Sequence, residues 1–285
     1  MIEILHKNDI TEVPEAAEPF ASFIMCVNRD NPWLDKAIGS VLAQDDGRFE
    51  FLVGANACSD DLWSKLNRYA ARDSRLKLFR TSIGQLAFNL NLLADQARGR
   101  YLIRMDADDV SLPHRLRTLR QTLEREPVDV LGSAVILVDH HDEQVGIMEF
   151  PQTEEAIAEA LPKRTVFCHP SVAIRKDFLL DMRGYLGGFV SEDMDLWLRA
   201  VRRNAKLRNL PVVLLHYRIH PEQSIMSAAG YAEVASHWVR EFLVSPSLYS
   251  LKGAFFAAGK ALVSRWLPGI RRYRGKNSRS SEHKP

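Results

Sequence analysis

Residues 20–27 (FASFIMCV) are apolar almost without interruption, the pattern of a strand buried on both faces as in a parallel sheet. Asn31-Pro32 then offers a helix start with proline in the first turn, and Leu34, Ile38, Val41 and Leu42 recur at helical spacing. A second strand, 49–53, ends in the small polar run Gly54-Ala55-Asn56-Ala57-Cys58-Ser59-Asp60. A helix carrying Leu62, Leu66 and Tyr69 follows, then a strand over 76–79, and a helix over 85–97 with Leu86, Leu90 and Leu93. The fourth strand, 101–105, runs directly into Asp106-Ala107-Asp108-Asp109. Strands alternating with helical segments are successive βαβ units, whose right-handed crossovers build a mostly parallel central sheet with helices on both faces. The fold class is therefore α/β and Rossmann-like.

Beyond residue 110 the order is less regular. The pattern predicts a helix over 113–125, strands over 128–138 and 145–150, and a short helix over 153–161. A strand over 171–174, a helix over 192–203 and a strand over 212–217 close the core, and residues 226–285 form a helical extension ending in an Arg- and Ser-rich stretch. Three parts are expected: an N-terminal extension (1–19), the α/β domain (20–225) and a helical, basic C-terminal tail (226–285).

Composition narrows the class. At 285 residues, 46% hydrophobic and 26% charged, the chain excludes collagen-like, low-complexity and wholly disordered proteins. Cys26, Cys58 and Cys168 lie far apart, giving neither metal-type spacing nor a disulfide framework, which points to a reducing compartment. Residues 1–18 lack the apolar run of a signal peptide, and no window approaches the roughly 18 apolar residues of a membrane span, so a cytoplasmic location is expected. The net charge of +2 is unevenly spread. After residue 250 stand Lys252, Lys260, Arg265, Arg271, Arg272, Arg274, Lys276, Arg279 and Lys284, against Glu282 alone, so the body is acidic and the tail basic. An acidic body argues against nucleic acid as a partner, because phosphate neutralisation needs a basic face.

Ligands of open parallel sheets bind beyond the carboxyl ends of the strands, where Asp106 and Asp108 lie. Extended residues two apart project to one side, so both carboxylates can face one ligand. Like charges this close are costly unless a cation neutralises them, and hard oxygen ligands favour Mg²⁺ or Mn²⁺, which also bridge phosphates. The bland alternative is an acidic loop at a helix start. A second cluster, Ser191-Glu192-Asp193-Met194-Asp195 with Arg199, is explained by helix capping and an i,i+4 pair, yet the same acids can hold a general base. In the third stretch, His216 to Ser224, His216 reads as structural, while His220, before a proline in a loop, is the better ligand candidate. His169-Pro170-Ser171 fits either an acceptor pocket or a structural turn.

Taken in order, these motifs resemble glycosyltransferase family 2, nucleotide-diphospho-sugar transferases of the GT-A fold. The resemblance spans about residues 20–225. It rests on Phe23 to Asn28 with Leu34 to Leu42, on Gly99 to Leu102 running into Asp106-Ala107-Asp108-Asp109, on Glu192-Asp193 with Leu196-Trp197-Leu198-Arg199, and on Tyr217-Arg218-Ile219-His220. It implies that Val27, Asn28, Asn56 and Asp60 surround the nucleotide base and ribose, that Asp106 helps hold the nucleotide, and that Asp108 coordinates a divalent metal, Mn²⁺ or Mg²⁺. It further implies Asp193 as catalytic base, Glu192 beside it placing the acceptor, and His220 approaching the diphosphate or metal. The implied reaction is inverting transfer from a nucleotide-sugar donor, a UDP-sugar favoured, to a glycan or lipid-linked acceptor in bacterial surface polysaccharide synthesis.

The chain departs from the commoner family pattern. Pro-Val-Tyr-Asn is reduced to Cys26-Val27-Asn28, Asn-Asp-Gly-Ser-Thr-Asp appears as Ala55-Asn56-Ala57-Cys58-Ser59-Asp60, and Ala-Arg-Asn as Ala87-Phe88-Asn89. Two rivals stand beside this reading: a haloacid-dehalogenase-like phosphatase using Asp106 as nucleophile in Asp106 to Val110, and a catalytically silent carbohydrate-binding module on the same fold. In the tail, Leu251, Phe255, Leu262 and Trp266 share a helical face with Lys260 opposite, followed by the cationic cluster Arg271 to Lys276. That arrangement suits peripheral contact of residues 251–285 with an anionic membrane surface, or a helix packed on the core.

Overall fold

The computed structural model describes residues 18–186, 188, 190–220 and 228–266, excepting the side chains of Ala228 and residues 264–266. Most of the expected N-terminal extension, residues 221–227, and the cationic cluster Arg271 to Lys276 lie outside the described residues. The first half follows the βαβ pattern: β1 (Ala21–Val27), α1 (Leu34–Leu42), β2 (Phe49–Asn56), α2 (Asp60–Ala70), β3 (Leu76–Thr81), α3 (Leu86–Gln96) and β4 (Tyr101–Met105). Then come β5 (Val110–Ser111), α4 (Arg115–Arg125), β6 (Val130–Val138), β7 (Gln144–Met148), α5 (Glu154–Ala160), β8 (Ala173–Arg175), α6 (Lys176–Asp181), α7 (Glu192–Arg202), β9 (Leu207–Arg218), α8 (Ala228–Val244) and α9 (Leu248–Trp266).

The strands form one sheet in the order β3-β2-β1-β4-β8-β6-β9-β5, with β7 paired to β6. Pairing is parallel across β3, β2, β1 and β4, as the alternating pattern predicts. Past β4 the sheet becomes mixed: β8 runs antiparallel to both β4 and β6, while β6 and β9 are parallel. Period-two alternation splits the core into two layers. Phe23, Met25, Phe51 and Val53 point to the side covered by α1, α2 and α4, and Ile24, Leu52 and Leu102 to the side covered by α3 and α7. Trp238 of α8 and Ala257 of α9 extend that second layer.

Two differences from the sequence pattern have local causes. β9 begins at Leu207, not Val212, because the β6–β9 register slips between Leu210 and Val213 and leaves Pro211 in a bulge, where a residue without an N–H is tolerated. The strand expected over 171–174 is shortened by a 3-10 turn, His169–Ser171, around Pro170. Asn89, the remnant of the Ala-Arg-Asn motif, is fully buried and its amide donates to the carbonyls of Ile83 and Gln85 at 2.7 Å each, holding the β3–α3 loop.

Close approach fixes the base of the sheet. A Cβ on Gly99 would fall 2.4 Å from the Ala21 carbonyl carbon, so only glycine fits where the chain enters β4. Ser22 accepts from the Gly99 N–H at 2.9 Å and donates to Glu50, which also accepts from Lys77 and the Arg98 N–H, each at 2.6 Å. Burial opposes ionisation of Glu50, but these donors win and hold its carboxyl down at about 2. Among the described residues, no helix is long and apolar enough to cross a membrane.

Candidate active site

The carboxyl ends of β1, β2 and β4 form one rim. Val27 pairs with Ala55 across β1 and β2, which puts buried Val27, exposed Asn28 and buried Asn56 at neighbouring strand ends. The Asn56 Oδ1 is buried with no partner among the described residues. Asp60, the first residue of α2, is 90% exposed and bonded to Arg80 at 2.6 Å, while Ser59 caps the helix by accepting from the Leu62 N–H. Cys26 is pushed up to about 12 by burial, so its thiol stays neutral.

β4 delivers the acids. Carboxylate oxygens of Asp106, Asp108 and Asp109 lie within 4.8 Å of one another. Asp109 is buried: one oxygen accepts from the Arg218 N–H at 2.8 Å, and the other has no partner among the described residues. Burial and the neighbouring carboxylates raise both Asp108 and Asp109 above the usual carboxylate range. His220 Nε2 meets Asp108 Oδ2 at 2.9 Å, and its ring packs on Trp33 with centroids 4.7 Å apart. Arg218, fully buried, ties this corner together: its side chain donates to the carbonyls of Asp108 and Asp139 and to Asp142, and its guanidinium lies 5.0 Å from the Trp33 ring centre. Asn31 donates to the Ala107 carbonyl at 3.3 Å, joining the loop after β1 to the acidic loop.

The second acidic group opens α7. Glu192 is its first residue and Asp193 its second. Burial, then the Asp193 charge, pushes Glu192 up to about 7, and burial likewise raises Asp193. Ser191 does not cap the helix as the sequence suggests. Its hydroxyl is turned toward α8, donating to Glu233 at 2.7 Å and meeting His237 at 3.1 Å. Asp193 Oδ1 instead accepts from the Met194 N–H at 2.7 Å. Asp195 forms the expected pair with Arg199 at 2.7 Å inside the protein, a structural role. His169 brings Nδ1 to 3.9 Å from Glu192 and Nε2 to 2.9 Å from the Tyr185 hydroxyl, and burial keeps its imidazole neutral.

Arg104 connects the two acidic groups, and sequence reasoning missed it. Period two along β4 sends it to the same side as Leu102, toward α7. It is 2% exposed and donates to Asp106, and its charge lowers the proton affinity of Glu192 and Asp193 while Asp106 raises it. The rim and the helix start therefore lie within electrostatic reach of one another. The available signal was a lone charge inside an otherwise apolar strand, two residues before the first Asp. Such an arrangement can seat a cation and phosphates at one end and accept a proton at the other.

Residues 22–183 match the pattern of glycosyl transferase family 2. Over 246 residues the chain is 35% identical to the O-antigen biosynthesis glycosyltransferase WbnJ of Escherichia coli, spanning 85% of this chain and 96% of that one. Among solved structures it is similar to S. aureus TarS 1-349 in complex with UDP-GlcNAc, with a TM-score of 0.65 and 17% identity over 88% of this chain and 73% of that one. It is also similar to the mannosyltransferase PcManGT from Pyrobaculum calidifontis in complex with GDP-Man and Mn²⁺, with a TM-score of 0.60 and 16% identity over 88% and 76%. At these identities the two structures speak for the fold, which is the expected GT-A fold. With the family pattern covering more than half of it and a relative this similar matched along nearly its whole length, the chain belongs to glycosyl transferase family 2.

Proposed function

We propose that the chain transfers a sugar from a nucleotide-diphosphate donor, a UDP-sugar favoured, to a hydroxyl of a glycan or lipid-linked acceptor, with inversion, in the building of a bacterial surface polysaccharide. The observation that carries this reading is the pair of carboxyls at the start of α7, buried Glu192 near 7 and half-buried Asp193 also raised, within electrostatic reach of Arg104 and Asp106 on the acidic rim. Family membership favours it over a phosphoaspartate at Asp106, and both acidic groups are present, unlike in a silent binding module.

Val27, Asn28, Asn56 and Asp60 take the base and ribose, and the buried Asn56 Oδ1, without a partner among the described residues, is free to accept from a ligand donor. Asp106, oriented by Arg104, lies on the diphosphate side. The three carboxylates fit a divalent cation, because a buried Asp109 oxygen with no partner among the described residues and three mutually repelling acids are both relieved by one. Asp108, Asp109 and Asp106 would hold Mn²⁺ or Mg²⁺, with His220 on Asp108, and the ion would offset charge growing on the departing nucleoside diphosphate. Asp193 takes the proton of the attacking hydroxyl, its proton affinity raised by burial. Glu192 and neutral His169 orient the acceptor.

A peripheral membrane contact on the cytoplasmic side belongs to the same proposal. Leu251, Phe255 and Leu262 of α9 are 48%, 77% and 64% exposed, while Lys260, also exposed, donates to the Lys163 carbonyl. With the basic run after residue 270, that face suits an anionic bilayer. Thermal unfolding in a panel of nucleotide-sugars, with and without Mn²⁺, tests the main reading. One UDP-sugar is expected to raise the midpoint only with the metal, and no shift with any nucleotide-sugar would overturn it.

A further inference from the structure

α8 keys into α7 along a polar stripe. Glu233, His237, Arg240 and Glu241 stand at i, i+4, i+7 and i+8, one face of a helix, with the core residues Val234 and Trp238 beside them. They meet α7 in order along its length. Glu233 accepts from the Ser191 hydroxyl at 2.7 Å and from the Val190 N–H at 3.1 Å, Arg240 pairs with Asp195 at 2.5 Å, and Glu241 pairs with Arg202 at 3.0 Å. Ser191, Asp195 and Glu241 are buried. Buried polar pairs add little stability over apolar packing, but they fit in one register only. The head of the stripe lies nearest the proposed base. The one hydroxyl hydrogen of Ser191 goes to Glu233, so His237, whose proton affinity burial lowers, donates its Nε2–H to the same oxygen at 3.1 Å. Gly188 has a φ of +145°, and a Cβ there would fall 2.6 Å from Glu233 Oε1, so the carboxylate seats directly against the main chain leading into α7. Glu233 thereby holds the two residues that precede Glu192 and Asp193, where the helix lacks a side-chain cap from Ser191.

We propose that Glu233 of α8 is a positioning residue for the transfer reaction: by holding Val190 and Ser191 it sets where the first turn of α7 presents Asp193 to the acceptor hydroxyl. The inference rests on the glycosyl-transfer reading and goes beyond it by making α8, which lies outside the residues 22–183 that match the family pattern, part of the catalytic unit. The acidic rim is held separately, by β4 and by Arg218 on Asp108 and Asp109, so binding of the nucleotide is expected to survive the loss of Glu233.

Hydrogen–deuterium exchange of the full chain is the first measurement. Glu233→Ala should speed exchange over residues 190–199 about tenfold and leave residues 21–27 of β1 at the parent's rate. Glu233→Gln keeps an oxygen for both donors and should bring exchange back to within about twofold of the parent. The same preparations are assayed with Mn²⁺ for UDP affinity by calorimetry and for UDP release from UDP-glucose, UDP-galactose and UDP-N-acetylglucosamine. Glu233→Ala should lose about tenfold or more in kcat with UDP affinity unchanged, and Glu233→Gln should recover most of that loss. Parent-like exchange over 190–199 or parent-like kcat in Glu233→Ala, faster exchange in β1 as well, glutamine no better than alanine, or UDP affinity falling in step with kcat would overturn the assignment. A parent that neither binds UDP nor consumes any of the three sugars overturns the glycosyl-transfer reading, and the exchange result separately decides whether Glu233 sets the first turn of α7.

Discussion

Replacing Glu192 by glutamine removes a carboxyl whose proton affinity the fold has raised from 4.5 to about 7, chiefly by burial and then by the Asp193 charge. The folded state holds this proton more tightly than the unfolded chain does. Below about pH 4.5 both states carry it and the group costs nothing. As pH rises from about 4.5 to about 7 the folded state progressively loses stability, and above that the full cost applies. At about 1.4 kcal/mol per pK unit, the gap corresponds to about 3 kcal/mol. Glu192 is 7% exposed, so solvent screening removes little of it. Glutamine keeps the shape and cannot ionise. Urea unfolding followed by tryptophan fluorescence in EDTA should therefore find Glu192→Gln and the parent within about 1 kcal/mol of each other at pH 5, and the variant more stable by up to about 3 kcal/mol at pH 8.5. Stability gained on removing a site residue is the expected mark of strain held for function, and turnover should fall in the same variant. A difference that does not change with pH, or a variant less stable than the parent at pH 8.5, would refute the reasoning.

Glu50 should behave in the opposite sense. Its folded value of about 2 lies below the usual 4.5, so it contributes about 3 kcal/mol above pH 4.5 that disappears as pH falls through 2. Glu50→Gln is expected to destabilise at pH 7 and to converge on the parent near pH 2 in the same urea assay. Gly99→Ala would drive a Cβ into the β1 backbone and should cost at least about 2 kcal/mol at every pH, read as a lowered urea midpoint. On anionic vesicles, Phe255→Glu/Leu262→Glu should sediment less than the parent, and equal sedimentation would remove the membrane contact from the account.

What could be read from the chain followed physical periodicity. The parallel half was legible because residues 20–27 and 101–105 are apolar runs separated by helices with regular leucine spacing. The acidic loop and Glu192-Asp193 were legible because charges stand out at the ends of such elements. β5 and α6 are short, two and six residues, and carry too little period to register. The start of β9 was hidden by Pro211, whose ring argues against a strand until the bulge is seen. Arg104 was hidden by its setting: a charge in a buried strand acquires meaning only when α7, nearly 90 residues later, packs over it. The capping pattern at Ser191 misled because α8 supplies Glu233 and His237, tertiary partners that no local window contains.

The most direct test of the central claim, an ion and donor held at the acidic rim and a proton acceptor at the start of α7, is one paired measurement on Asp193→Asn and Asp108→Ala: donor affinity with Mn²⁺ and turnover on the same preparations. Asp193→Asn should bind the donor as the parent does and lose about 10²–10⁴-fold in kcat, whereas Asp108→Ala should lose Mn²⁺-dependent donor binding. Parent-like turnover in Asp193→Asn, or undiminished Mn²⁺-dependent donor affinity in Asp108→Ala, would contradict it.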